Sequence, residues 1–428
     1  MATYLGQAGY TVRLYEMRSD PRKKGAAGGR SINLALSRRG LNALEEVGIA
    51  DRIRDLSIPM RGRMMHAESG SLSFQPYGTE PDQYLNSVSR GRLNETLLDA
   101  AAACPGVSLH FEQKCADMSL EAGTVTIQDT TTGEIRKIDT DIVIGADGAF
   151  SRVRAALLRR ERFDYRQDYL EHGYKELTMP PAADGGFALE PEALHIWPRR
   201  TYMMIALPNK DATFTCTLFW PFEGEDSFAT IRSDEQVMQF FEKTFPDVVP
   251  LIPDLAGEFQ RNPVASMVTV RCRPWQFAGR AVLIGDAAHA VVPFYGQGIN
   301  AGFEDCTVLM QSIRFHGEDW ERAFRSYEDR RKPNTDTLAD LGLENFVEMR
   351  DRVGSGSFLL RKGAERALHR LFPRWYVPLY TMVSFTRVPY TEAKRRAQRQ
   401  NRVAIVTAAV VFVILDVLIL GLLLGFAF

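Results

Sequence analysis

Two carboxylates in this chain stand where a dinucleotide would need them. The first lies in the run Arg280 to Cys306, RAVLIGDAAHAVVPFYGQGINAGFEDC, and the second in Ile142 to Arg154, IVIGADGAFSRVR. In the first run Ala281 to Ile284 reads as a buried strand that stops at Gly285-Asp286, before a glycine-rich turn and a helix. The carboxyl edge of a parallel sheet is where α/β proteins bind ligands. An aspartate there can accept hydrogen bonds from ribityl or ribose hydroxyls. Gly296, Gly298 and Gly302 would let backbone N–H groups approach a flat ligand closely. In the second run another apolar strand ends at Gly145, followed by an Asp147-Gly148 turn and a helix with Ser151 as N-cap. An ordinary strand–turn–helix connection explains a bare Gly-Asp pair. It explains less well two such strand ends with so many special residues between them.

The elements around these ends should form a dinucleotide-binding unit. Ala2 to Gly9 reads as the tail of a helix capped by Gly9, and Tyr10 to Tyr15 as a strand ending at Glu16. In a βαβ unit an acid there grips a ribose, about 20 residues after the glycine loop. Fifteen residues precede Glu16, so that loop and its strand would lie upstream of Met1. The expectation is a truncated or mis-started sequence holding the ribityl half of the site without the pyrophosphate half. The alternatives are a short protein that folds another way and a flavin-free, membrane-tethered remnant.

Further along, Arg22 to Gly29 reads as a basic glycine-rich loop. Ser37 should open a helix that ends at Gly48, and Ser87 to Ala103 and Val107 to Phe111 read as a helix and a strand. Met60 to Phe74 and Gly186 to Phe222 alternate as strands, a second sheet covering the ligand. After Asp305 the chain reads as mostly helical. The predicted class is α/β: a Rossmann-like domain in segments 1–60, 86–165 and 275–335, interleaved with a mixed β-sheet domain in 61–85 and 166–274. A helical region, 336–402, and a transmembrane anchor, 403–428, follow.

Composition narrows the function. Lys+Arg 52 against Asp+Glu 53 gives no electrostatic case for nucleic acid. Five scattered cysteines without a Cys-x-x-Cys pair argue against a disulfide framework or a zinc site and fit a reducing compartment. The seven histidines show no metal-ligand spacing, and His289 reads most simply as a packed strand-end residue. Val403 to Phe428 is long enough to span a bilayer. Lys394, Arg395, Arg396, Arg399 and Arg402 precede it and would keep the body in the cytoplasm, at a bacterial inner membrane or a cytosol-facing organelle surface. Asp416 within the span costs about 2.5–3.5 kcal/mol, offset by its apolar neighbours or by a partner in another helix. A buried helix of the body is the other reading of this segment.

The strand-end motifs resemble those of the group A flavoprotein aromatic hydroxylases, where the first aspartate holds the FAD ribityl chain and the Asp-Gly motif touches FAD and NADPH. Ile58 to His66, Pro76 to Thr79, Glu344 to Arg350 and Pro378 to Phe385, together with Ser31 to Ser37 and Pro293 to Cys306, closely resemble the kynurenine 3-monooxygenase family over essentially the whole chain. The resemblance implies FAD contacts from Glu16, Arg18, Ala35, Arg38, Arg90, Asp147, Gly148, Asp286, Pro293, Gly296, Gly298, Ile299 and Asn300. It implies that Arg63 and Tyr77 hold the amino-acid carboxylate of L-kynurenine, with Asn345 and Tyr380 completing the polar contacts. Ile205, Leu207, Phe219, Pro293 and Phe294, with Met349, would line an apolar slot for the ring.

Arg suits the first role because its planar fork pairs bidentately with a carboxylate and stays charged in a partly buried site. For each apolar residue plain core packing is the competing reading, and for Arg63 a surface salt bridge. Gln297 could bond near the flavin edge or stabilise its own turn. Tyr295 departs from the family pattern of Phe or His, which bears on substrate choice. The implied reaction is hydroxylation to 3-hydroxykynurenine with NAD(P)H and O₂ through a C4a-hydroperoxyflavin, in tryptophan degradation or NAD biosynthesis. No general base is required, because the amino group already activates the ring. The alternative within the class is a hydroxylase of a substituted kynurenine or a phenolic acid.

Overall fold

The computed structural model describes residues 1–24, 33–348 and 356–425. Two parallel pairs form the nucleotide-type part. Val12–Tyr15 runs beside Val107–His110, and Val143–Gly145 beside Ala281–Leu283, with Gly145 opposite Leu283. The helices Ala2–Gln7, Arg90–Ala102, Arg152–Leu158 and Gly298–His316 pack around them, and of the four strands only Ala281–Leu283 is buried throughout. Leu283, Ala287, Val153, Leu157 and Leu309 share one buried cluster there. An added Cβ on Gly145 would meet Val153 Cβ at 2.8 Å and Leu283 Cδ2 at 2.9 Å, so helix–strand packing alone requires this glycine.

The second sheet has seven strands. In spatial order they are Ala265–Arg273, Asp164–Met179, Phe214–Pro221, Tyr202–Pro208, Ala193–Arg199, Gly62–His66 and Leu72–Pro76. Every neighbour is antiparallel except Ala193–Arg199 beside Gly62–His66, which is parallel. The two-residue period of a strand divides its faces. Met204, Ala206, Leu218 and Trp220 pack under the helices Asp234–Thr244 and Leu255–Arg261, while Met203, Ile205 and Phe219 point the other way, toward Phe294 and Phe346.

Several expectations need correction. Ser87 to Ser89 is not helical: Leu85–Ser89 is the middle strand of a small sheet, bonded to Asn33–Leu36 and Ser57–Met60, and the helix begins at Arg90. Hydrogen bonding on both strand edges outweighs the local helical signal. The Gly186 to Phe222 strands start only at Ala193. Pro21–Lys24 forms a helical turn, its Arg22 amide bonded to Asp20 Oδ1 at 3.1 Å; the rest of the expected basic loop, with Ser31, falls outside the described residues. The antiparallel meander Gln113–Ser119, Thr124–Asp129, Ile135–Asp139 was not foreseen. The turn after Gly285 is broken by a short helix, Asp286–His289, and a 3-10 turn, Pro293–Tyr295.

The C-terminal third is helical. Trp320–Val347 packs along Gly298–His316, and Tyr390–Gly425 begins against that body before leaving it. Among the described residues one helix is long and apolar enough to cross a membrane, with a mean hydropathy of 3.0 over its most apolar window. Residues 403–420 project outward almost entirely exposed.

Candidate active site: a strand-end cradle beside a buried guanidinium

Asp286 and Asp147 leave the same edge of the parallel pair. No described residue donates a hydrogen bond to the Asp286 carboxylate, although protein surrounds it closely enough that burial raises its pKa. The side chain is nevertheless solvent-accessible. Together these are the properties of a carboxylate in a cleft wall. Asp147 is occupied: it accepts from Arg152 N at 2.6 Å, Val153 N at 3.2 Å and Ser151 Oγ at 2.5 Å. Ser151 Oγ accepts in turn from Arg154 N at 2.9 Å, the cap foreseen from the sequence.

Below Asp286 lies a second carboxylate with the opposite character. Asp305 is fully buried and accepts from Gly285 N at 2.9 Å, Arg331 Nε at 2.6 Å and His289 Nε2 at 2.6 Å. Burial pushes its pKa up, but His289 and Arg331 outweigh that and hold it at about 2. Arg331 also reaches Glu304, which pairs with Arg39 Nη1 at 2.8 Å, and Arg39 Nε donates to Val383 O at 3.1 Å. The Arg39 guanidinium lies 4.1 Å above the Tyr390 ring. This buried network ties the strand end to both C-terminal helices. His289 is therefore hydrogen-bonded to a buried carboxylate as well as packed. Sequence reading missed Arg39, Asp305 and Arg331. The available signal was Asp305 at helical spacing from buried Ala301, Val308, Leu309 and Ser312, an acid on an apolar face.

The turn above is fixed by its own side chains. Gly296 has φ 64°, which glycine adopts most easily. Asn300 donates to Ala35 O at 2.9 Å and Gly296 O at 2.8 Å and accepts from Ser37 N at 2.8 Å. Gln297 Oε1 accepts from Tyr390 Oη at 3.2 Å, while its buried Nε2 has no partner. An added Cβ on Gly298 would meet Val291 Cγ2 at 3.7 Å, ordinary contact. Packing does not require that glycine, whereas a ligand lying against the helix start would. A free carboxylate, a rigid left-handed turn and an open helix N-terminus fit the ribityl and ring portions of a flavin.

Beside this cradle Arg63 occupies the strand Gly62–His66. Its guanidinium carbon lies 4.9 Å from the Tyr380 ring centre and 5.7 Å from that of Tyr77. The two phenol rings stack at 5.4 Å, and Tyr295 lies 5.8 Å from Tyr380. Arg63 Nε and Tyr77 Oη are buried without hydrogen-bond partners. Among the described residues no acidic side chain pairs with Arg63, so the surface-salt-bridge reading does not hold. Burial opposes the charge, but the Tyr380 and Tyr77 phenols more than compensate and its pKa is raised. Burial also raises the pKa of Tyr77 and Tyr295, so both remain neutral phenols.

The other expected residues divide into groups. Tyr77, Leu207, Ile205, Tyr380 and Ala35 meet in one apolar cluster, and Ile205 also joins the adjoining cluster with Phe219 and Phe294. Phe294 stacks on Phe346 at 4.2 Å and lies 4.9 Å from Phe219. Asn345 Nδ2 donates to Phe294 O at 2.6 Å, bracing the lining. Pro293 is exposed at the turn, Gly148 has φ 80°, and Ile299 packs on the main core. Glu16 accepts from Arg18 N at 2.9 Å on the separate Val12–Tyr15 pair, Arg38 bonds Glu45 at 3.0 Å on the surface, and Arg90 is exposed at a helix start. Met349 lies outside the described residues.

A family model described as an FAD binding domain matches residues 1–341, and the class is therefore that of FAD-binding flavoproteins. The fold agrees with solved flavin oxygenases. One is tetrameric 2-methyl-3-hydroxypyridine-5-carboxylic acid oxygenase, at TM-score 0.67 and 22% identity over 84% of this chain and 91% of that one. Another is PqsL of P. aeruginosa, solved with 2-aminobenzoylacetate, at TM-score 0.65 and 18% identity over 82% and 93%. The chain is 48% identical to the kynurenine 3-monooxygenase of Myxococcus xanthus over 91% of its length and 84% of that protein's. It is 42% identical to the Anopheles gambiae enzyme of that name over 94% and 83%. The chain belongs to the kynurenine 3-monooxygenase family.

Proposed function

We propose that this protein hydroxylates L-kynurenine at the ring carbon beside the aniline nitrogen. In the balanced reaction, kynurenine, O₂, NADPH and a proton give 3-hydroxykynurenine, NADP⁺ and water. The observation that carries this reading is the guanidinium of Arg63, which lies over two stacked phenols beside an apolar wall, its buried Nε without a hydrogen-bond partner and no acidic side chain among the described residues paired with it. A desolvated cation without an anion among the described residues calls for one from a ligand. An amino-acid carboxylate meets that need with bidentate geometry, and Tyr77 Oη supplies a further donor.

The ring end of the substrate then extends along Ile205, Leu207, Phe219 and Phe294, which exclude water. Asn345 acts through Phe294 O as a brace for that wall. When bound, FAD supplies two-electron reduction by NADPH and the activation of O₂. Asp286 would hold its ribityl hydroxyls, with the Gly296 turn and the Gly298 helix start facing the ring system. The chain's residues contribute orientation and dryness, and no side chain needs to move a proton from the already activated ring. The apolar helix beyond Val403 would anchor the body to the membrane, its basic flank on the cytoplasmic side.

Replacing Arg63 with Ala should raise KM by about 2–5 kcal/mol equivalent, with a smaller change in kcat, because a buried carboxylate loses its charged partner. Steady-state NADPH oxidation with kynurenine checks this, and near-normal KM would refute the assignment. Tyr295 supports a second reading, a substituted kynurenine or phenolic acid as substrate, because its phenol faces the Tyr380 ring. Substrate-stimulated NADPH oxidation across a panel of aromatic acids separates the two, and strongest stimulation by an acid other than kynurenine would favour the second.

A further inference from the structure

The helix Tyr390–Gly425 behaves as two segments. Up to Gln400 one stripe is buried in the body: Tyr390, Ala393, Ala397 and Gln400. From Val403 to Leu420 its side chains face outward, almost all of them exposed. The body is therefore rigidly joined to the helix three residues before the apolar stretch begins, about 4.5 Å along the axis at a 1.5 Å rise per residue.

One turn of the body stands at this level. Gln400 Nε2 donates to Trp375 O at 2.8 Å, and Tyr376 Oη donates to Asn401 Oδ1 at 2.7 Å. His369 Nδ1 bonds Tyr376 O at 2.7 Å, and Tyr376 N donates to Phe372 O at 2.9 Å, which closes the turn. This well-bonded turn turns its largest apolar side chains outward: Leu371 is 70% exposed, Phe372 54% and Trp375 46%. Arg370 and Arg374 flank them, Arg399 and Arg402 stand on the facing helix, and all four are exposed. No acidic residue occurs in 366–376 or in 393–415.

A soluble surface seldom groups three such side chains on one tight turn. A bilayer interface accepts that combination, with Trp at the headgroup level and cations against acidic lipid. We propose that Leu371, Phe372 and Trp375 form a second, interfacial membrane contact that inserts into an anionic leaflet where the anchor helix enters. The proposal rests on the anchor reading of that helix. The same turn leads directly into Leu379–Phe385, which carries Tyr380, so lipid contact would also fix the orientation of the substrate site toward the bilayer.

The test uses the full chain reconstituted in vesicles of phosphatidylcholine and phosphatidylglycerol with brominated acyl chains. Flotation reports the anchor, and quenching of tryptophan fluorescence by bromine reports the turn. Trp375 is the exposed indole, Trp320 is half-buried against Phe324 and Tyr10, and Trp197, Trp220 and Trp275 are buried in the core, so the signal is read as the difference between the wild type and Trp375→Phe. The expected result is flotation of both proteins, with a quenched component in the wild type that is lost in Trp375→Phe. Flotation with equal quenching in the two would overturn the interfacial contact and leave the anchor standing. Failure of the wild type to float would remove both. In Phe372→Asp, Trp375 emission should shift to the red with less quenching, and unchanged emission would count against the contact. Replacing phosphatidylglycerol by phosphatidylcholine should weaken quenching, and unchanged quenching would overturn the anionic preference.

Discussion

The strands Val143–Gly145 and Ala281–Leu283 lie side by side, run the same way and end in the same pairing of glycine with aspartate, yet their aspartates do different work. Asp147 is consumed by its own helix, accepting two backbone amides and the Ser151 hydroxyl. Asp286 has no donor among the described residues, while the neighbouring amide, Gly285 N, donates to Asp305. Neighbouring strand ends of like sequence thus become a structural cap and a free acceptor. What separates them is the location of their donors. Alike as the two segments read, one carboxylate is satisfied by its own helix and the other has no donor among the described residues.

That contrast can be tested, beginning with the largest effect. Replacing Asp305 with Asn should destabilise the fold by about 3–5 kcal/mol, since it leaves Arg331 and His289 buried with a partner lost. Chemical denaturation of purified protein measures it, and a loss below about 1 kcal/mol would mean the network is dispensable. The pH arm follows from a depressed pKa. The folded value of about 2 lies below the ordinary 3.8, so the stabilisation is complete above 3.8 and is lost as pH falls through about 2. In Asp305→Asn the acid limb of the stability curve should flatten in that window.

Asp286→Asn should act in the opposite sense on stability. Removing an unpartnered carboxylate from a low-dielectric wall should leave the flavin-free protein as stable or more so, while FAD affinity falls by about 1.5–3 kcal/mol, the worth of hydrogen bonds to a charged acceptor. Flavin retention on gel filtration and thermal unfolding report the two separately. A fully flavinated variant would end the ribityl assignment. Asp147→Asn should cost about 1 kcal/mol of stability through the lost cap, with flavin affinity changed less than in Asp286→Asn. Equal flavin loss in both variants would erase the distinction between the strand ends. The smallest effect on the fold is expected for Gly298→Ala, which should leave stability unchanged or raise it by up to about 1 kcal/mol, yet weaken FAD binding. Unaltered flavin binding there would show that no ligand lies against the helix start.

Much of the cradle was legible because it is local. Strand, glycine turn, Ser151 cap and helix depend on residues within a few positions of one another, and their preferences add along the sequence. The family resemblance grouped Ile205, Leu207 and Phe219, and strand alternation sets them on one face of the large sheet. The middle strand Leu85–Ser89 was not legible: hydrogen bonds from Asn33–Leu36 and Ser57–Met60, far away in sequence, override its neighbourhood. Glu16 and Asp286 read alike as acceptors for sugar hydroxyls, and the structure adds that one Glu16 oxygen also accepts from Arg18 N.

By itself the sequence determined the two strand ends and the apolar C-terminal helix, while Arg63 was grouped with Tyr77 and Tyr380 only through the family resemblance. Tertiary structure alone decided which carboxylates are free and which are consumed. The Asp305 network draws on helices at Arg39, Arg331 and Tyr390, and among the described residues none of the elements folded around Arg63 brings it an anion. The physical reason is that charge compensation in a low-dielectric interior depends on distance in space, on which residue types alone are silent. The folded chain brings Asp305 its partners and, among the described residues, brings Asp286 none.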